Sequence, residues 1–409
     1  MKFTTLLPSL LSTIPSSIAF LNVPTARQTQ SGCNTPASLN ASTNIWKTHK
    51  LHTNALYRSL VQTAISKLPK DKDALYKAEF VRDKAGTFVT IDGPSQIPKI
   101  EKTAQDVPCD KVLGLIISGL PWKSCPSVGV PEAKEPYDYA GEYIDPIVQS
   151  IKSHPNTAFA LIIEPGVLGT VVLNKDLASC KHVRDSYRKN VPYALKALNL
   201  PNVVLYLDAE HGGVLGWKEI FASKVGTNEL INAWTNAEKP KQFRGVAVNI
   251  KGYNSWDMQP GESFHNENPT CADLTNRARN EKQYLTLLDR DLSKAGMPSF
   301  GIVDTSRNGN IGIRKYWSDW CNVEHVKPGI TPNTPSNHAL LDAWVWAKGV
   351  GESDGTTDVN SYSYRSECGL ENSFKPMPER GEWSQEYFES LRPIQFEVLN
   401  ILHLLYYLT

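Results

Sequence analysis

Seven short, almost wholly apolar runs, each followed at once by a polar side chain, constrain this chain more than any other feature. They lie at 87–91, 112–117, 158–163, 203–207, 245–250, 299–303 and 343–346. A run that is apolar at odd and even positions alike reads as a strand buried on both faces. Several intervening stretches, 138–153, 183–198 and 281–296, carry apolar residues at helical spacing, as does 53–68 ahead of the first run. Alternation of this kind builds a parallel sheet, which is expected to close on itself over about 260 residues. The predicted fold class is therefore α/β, a parallel (β/α) barrel.

The polar exits are Asp92, Ser118, Glu164, Asp208 with Glu210, Asn249, Asp304 with Arg307, and Lys348 with Glu352. In a parallel barrel the C-terminal strand ends share one face, and ligands bind there. Any one of these residues suits a cap or a turn; seven polar exits on one rim point to a cleft. Trp46, Trp217, Trp256, Trp317, Trp320, Trp344 and Trp346 lie in or beside the same loops. Their flat faces suit the apolar faces of sugar rings, although Trp344 and Trp346, inside a run, read as core.

Composition narrows the rest. Lys+Arg 43 against Asp+Glu 42 leaves a net charge of +1, so nothing points to nucleic acid. Residues 1–19, with Lys2 ahead of an apolar stretch and small residues at its end, read as a secretory signal peptide; an extracellular protein is expected. No other run is long enough to span a membrane. Residues 20–43, rich in Ser, Thr, Asn, Gln and Pro, read as a flexible lead-in, and 393–409 as a divergent tail. Seven Cys without a Cys-x-x-Cys pair suggest disulfides rather than a metal site, and Asn40 heads a glycosylation acceptor.

The stretches LIIEPGVLG (161–169), NLPNVVLYLDAEHGGVLGW (199–217), RGVAVNIKGYNSW (244–256), GIVDTSRNG (301–309), YWSDWCNV (316–323) and LLDAWVWAKGVGESDGTTD (340–358) make the chain resemble glycoside hydrolase family 6. These are secreted cellobiohydrolases and endoglucanases that cut β-1,4-glucan with inversion. The resemblance covers about 44–392. It implies a distorted barrel of about seven strands, an active-site cleft at their C-terminal ends, and disulfides Cys125–Cys180 and Cys321–Cys368. It leaves a further pair among Cys33, Cys109 and Cys271 open. It implies a monomer acting on β-1,4-glucan or cello-oligosaccharide, with no metal and no organic cofactor, because proton transfer and water suffice for the reaction.

Residue by residue, the resemblance places Asp354 at the base position and Asp208 in support. It puts Trp46, His211, Trp217, Asn249, Trp320, Lys348 and Glu352 at sugar-contacting positions. It also exposes departures. The general acid should be the Asp of Glu-Pro-Asp, but the chain reads Glu164-Pro165-Gly166. The second signature, Tyr-x-x-Pro-x-Arg-Asp-Cys, reads Ser118 for Tyr, Lys123 for Arg and Ser124 for Asp. A stacking Trp is replaced by Val214. A protein with activity lost or strongly reduced is expected. The alternatives are an active hydrolase with Glu210, an added carboxylate two residues past Asp208, as replacement acid, or a non-catalytic interaction protein.

Overall fold

All seven apolar runs are strands. The computed structural model describes residues 32–68, 71–125, 137–258, 275–316, 318–335 and 338–390. The signal peptide, the first part of the lead-in, Cys271, Trp317 and the C-terminal tail lie outside them. The strands are β1 (Lys50–Leu51), β2 (Val89–Ile91), β3 (Lys111–Ile117), β4 (Ala158–Ile163), β5 (Val203–Asp208), β6 (Phe243–Val248), β7 (Phe300–Asp304) and β8 (Leu341–Val345). Every pairing is parallel, in the order β1-β3-β4-β5-β6-β7-β8. β1 pairs with the first residues of β3 and β2 with its last, so the two short strands share one edge. The Phe88 amide donates to the Trp346 carbonyl (3.1 Å), linking the first and last edges into a nearly closed barrel.

Strand periodicity of two explains why both faces are apolar. Odd residues such as Leu113, Leu115, Phe159, Leu161, Val203 and Leu205 meet the outer helices. Even residues such as Val112, Ile116, Ala160, Ile162 and Val204 fill the barrel, joined by Ala247, Ile302 and Ala343. The interior of a small barrel has room for few side chains, which explains the alanines. The outer helices include Val167–Leu173, Lys181–Ala197, Val225–Asn236 and Glu281–Leu292. The predicted helix at 138–153 begins as a π-helical turn, Tyr139–Ile144, and continues as Asp145–Lys152; the Asp138 carboxylate accepts from the Ala140 and Gly141 amides and starts it.

Two expectations need correction. Residues 32–43 are not a flexible lead-in. Cys33 is bonded to Cys109, the Ala37 and Leu39 amides donate to the carbonyls of Pro155 and Pro201, and Leu39 and Ala41 are buried in the barrel's interior cluster. The polar composition concealed two apolar anchors and a covalent tether. Trp46 stands just ahead of β1, at the N-terminal end of the barrel and away from the mouth. Its indole is 6% exposed and donates to the Tyr206 hydroxyl (3.0 Å), so it plugs the barrel and does not meet a sugar at the cleft. A cavity of about 1640 Å³ opens beside it, lined by strand-start residues including Lys50, Arg244, Phe300 and Asp342.

Candidate active site

The C-terminal rim is sewn together by buried carboxyl groups, each emerging from a strand or helix and accepting amide protons from a neighbouring loop. Glu164, one residue past β4 and 1% exposed, accepts from the Gly119 and Leu120 amides (both 3.0 Å) and from the Tyr139 hydroxyl (2.8 Å). Burial pushes its pKa up, against the opposing pull of Lys123. Asp208, the last residue of β5, accepts from the amides of Gly166 (3.2 Å) and Glu210 (3.1 Å); burial first, then the Glu210 carboxyl, push its pKa well up. Asp304, the last residue of β7, accepts from the amides of Lys251 (2.7 Å), Ser306 (2.8 Å) and Ala347 (3.2 Å).

Backbone strain is stored on the same rim, as at several positions elsewhere. Trp122, Glu164, Glu210, Asn249 and Lys251 all have φ between +48° and +62°, the left-handed region that side chains disfavour. Gly166 shares it at +81°, heading the helix Val167–Leu173. A Cβ built there would meet nothing within 4 Å. At the position where the resemblance expects a proton donor there is open space.

Across the rim, Asp354 is clamped. Its Oδ2 accepts from Arg307 Nη1 (2.6 Å), the Asn322 amide (2.8 Å) and the Tyr253 hydroxyl (3.0 Å); its Oδ1 accepts from Lys348 Nζ (2.5 Å). Burial alone would raise its pKa, but Arg307 and Lys348 together hold it well below the ordinary carboxylate range. Asp354 is therefore a fixed negative charge. It is suited to orienting a water and to stabilising positive charge that develops nearby.

The remaining predicted residues divide. Trp320 is 39% exposed and Trp217 part-buried, its indole donating to the Gly213 carbonyl (2.9 Å). Glu352 is part-exposed, 4.0 Å from Lys348. His211 accepts from Asn254 Nδ2 (3.0 Å) at Nδ1, and burial, with Arg314 adding to it, lowers its pKa to about 3, so its ring is neutral. Ser118 Oγ accepts from Lys123 Nζ (3.0 Å), and Ser124 is exposed. Asn249 stands just past the end of β6. It is fully buried, and its amide donates to the Asn254 and Asp304 carbonyls (3.0 and 2.9 Å), so it shapes the β6 exit. All three disulfides, Cys33–Cys109, Cys125–Cys180 and Cys321–Cys368, are formed, which answers the question left open for Cys33 and Cys109. Among the described residues no group of three or more His, Cys, Asp or Glu is placed to hold a metal ion.

The profile described as Glycosyl hydrolases family 6 matches residues 46–393. The chain belongs to this family. It is 42% identical over 372 residues to the 1,4-beta-D-glucan cellobiohydrolase CEL6C of Podospora anserina, covering 90% of this chain and 91% of that relative. It is 32% identical over 372 residues to 1,4-beta-D-glucan cellobiohydrolase C of Emericella nidulans, covering 86% and 78%. Among solved structures, an Asp-to-Asn mutant of the cellobiohydrolase Cel6A from Humicola insolens, in complex with methyl-tetrathio-alpha-d-cellopentoside, aligns with a TM-score of 0.76 at 29% identity over 87% of this chain and 98% of that one. The family 6 enzyme CcCel6C from Coprinopsis cinerea aligns at 0.75 and 26%, covering 85% and 97%.

Several rim residues of this family 6 chain escaped the sequence reading. Arg307 was visible as a strand exit, but its bond to Asp354 was not. Tyr253 and Asn322 left no local signal, because the clamp forms between loops about 100 and 30 residues apart. Glu281 opens the helix Glu281–Leu292. It is fully buried, and its Oε1 accepts from the Gly212 amide (3.1 Å) and Asn254 Nδ2 (2.8 Å). Burial pushes its pKa from 4.5 up to about 8. The folded state therefore holds this proton more tightly than the unfolded chain. The contribution is complete below about 4.5 and is lost as pH rises towards about 8. Glu281→Gln should flatten the fall of urea-unfolding stability across that window by about 1 kcal/mol per pH unit. An unchanged slope would show that Glu281 is not the titrating group.

Proposed function

We propose that the protein holds a β-1,4-glucan chain across the C-terminal mouth of the barrel, and that hydrolysis through the family's usual acid is lost. The observation that carries this is Gly166: no side chain, and nothing within 4 Å of where one would begin. A positioned general acid contributes ~10²–10⁴ in rate. Its absence, with Ser118 and Ser124 in place of the Tyr and Asp expected beside it, leaves a binding cleft with much weakened chemistry. The binding half draws on relatives that carry cellobiohydrolase names and on the cellopentoside complex of the Humicola insolens protein. Trp320 and Trp217 supply the stacking faces, and the fixed charge of Asp354 survives. Three disulfides fit an extracellular protein with a cleaved leader. No helix among the described residues is long and apolar enough to cross a membrane.

The test is calorimetry with cellohexaose alongside hydrolysis of acid-swollen cellulose. Binding is expected, with turnover at least ~10²-fold below that of active relatives. Calorimetric silence would overturn the glucan reading, and ordinary turnover would overturn the loss. Trp320→Ala should weaken cellohexaose binding about tenfold, the value of one stacked aromatic face. Unchanged affinity would remove Trp320 from the ligand path.

A further inference from the structure

Inverting hydrolysis needs a carboxylic acid that is protonated, reaches the cleft and is free to give its proton away. The rim offers several carboxyl groups whose pKa is raised. Glu164, Asp208, Glu281 and Asp304 are all at most 2% exposed, and each spends oxygens on amide or side-chain donors that hold loops in place. Glu210 differs. It is part-exposed, and only Oε1 is engaged, accepting from the Gly169 amide (3.1 Å). Its Oε2 carries no hydrogen bond and is not sealed from the surface.

Its position is as telling as its freedom. The amides of Gly166 and Glu210 donate to the same oxygen of Asp208, at 3.2 and 3.1 Å, so the two residues stand side by side. Glu210 is held at a φ of +60°, a conformation costly for a residue with a side chain. The space beside it, above Gly166, is empty. Burial raises the Glu210 pKa, against the opposing pull of the Gly169 amide.

We propose that Glu210 is the general acid of this chain, donating its Oε2 proton to the glycosidic oxygen across the gap above Gly166. This rests on the glucan-cleft reading and adds a slow catalytic route to it. The proton passes from Oε2 to the bridging oxygen. The C1–O bond breaks, and its electron pair stays on that oxygen, which leaves as a hydroxyl. A water adds to C1 from the opposite face and releases a proton to solvent on the Asp354 side. Glu210 recovers its proton from solvent, and the new reducing end has inverted configuration.

The experiment compares the full chain with Glu210→Gln on two substrates. Cellotetraose has a leaving group that must be protonated; 2,4-dinitrophenyl β-cellotrioside has one that need not be. Glu210→Gln keeps an oxygen for the Gly169 amide. It should cut cellotetraose turnover ~10²-fold or more while dinitrophenol release stays within about twofold. Equal loss on both substrates would mean a structural role and overturn the proposal. So would an unchanged rate on cellotetraose, or a starting protein that releases dinitrophenol but never cleaves cellotetraose. The glucan-cleft reading fails separately, by absence of cellohexaose binding in the starting protein. Ordinary turnover abolished by Glu210→Gln would uphold Glu210 and overturn only the claim of weakened chemistry.

Discussion

Gly166→Asp combined with Ser124→Asp should raise turnover of cellotetraose by ~10²–10⁴, the usual worth of a positioned general acid. The structure gives the new side chain room, since nothing lies within 4 Å of its first carbon. The obstacle is the backbone, at a φ of +81°. Asp is among the residues that tolerate this region best, and the conformational cost is about 1–2 kcal/mol, small beside the gain in rate. Ser124 is exposed on the loop held by Cys125–Cys180, so its substitution disturbs no packing. Initial rates on soluble cello-oligosaccharides decide the matter. A folded double variant no faster than the parent would show that the cleft, and not the lack of an acid at position 166, limits the reaction.

The second large effect concerns Asp354. Asp354→Asn leaves Arg307 and Lys348 buried, 5% and 2% exposed, with their shared counter-charge removed. Stripping one partner from a buried ionic group costs about 3–5 kcal/mol. The urea midpoint should fall accordingly, and Lys348→Met in the same background should recover part of the loss. An unshifted midpoint would mean that water already reaches and solvates the clamp. The pH sign follows from the lowered pKa. The clamp contributes fully above the unfolded value of 3.8 and fades only as pH falls into the strongly acid range.

The strands were legible because burial on both faces writes itself into every residue of a run, and each of the seven was located within about two residues. β1 escaped because two residues, Lys50 and Leu51, show no period. The polar exits were legible as positions but not as roles. Asp304 and Glu164 proved to be loop anchors, and Asn249 turned its amide inward, because a side chain's partner is fixed by folding and not by spacing. Trp46 shows the same limit. Its residue type suggested a sugar platform, while its place ahead of β1 made it a plug. Gly166 was plain in the sequence, but the opening above it belongs to the fold alone.

The division of labour around the rim has an evolutionary consequence. The acids that fasten the loops, Glu164 and Asp304, are separate from positions 118, 124 and 166, where the reaction's own groups would stand. Natural variation can therefore drift through the second set without unpicking the first. A lineage that no longer needs rapid cleavage keeps a well-formed cleft, ready to be retained as a receptor or turned to new chemistry.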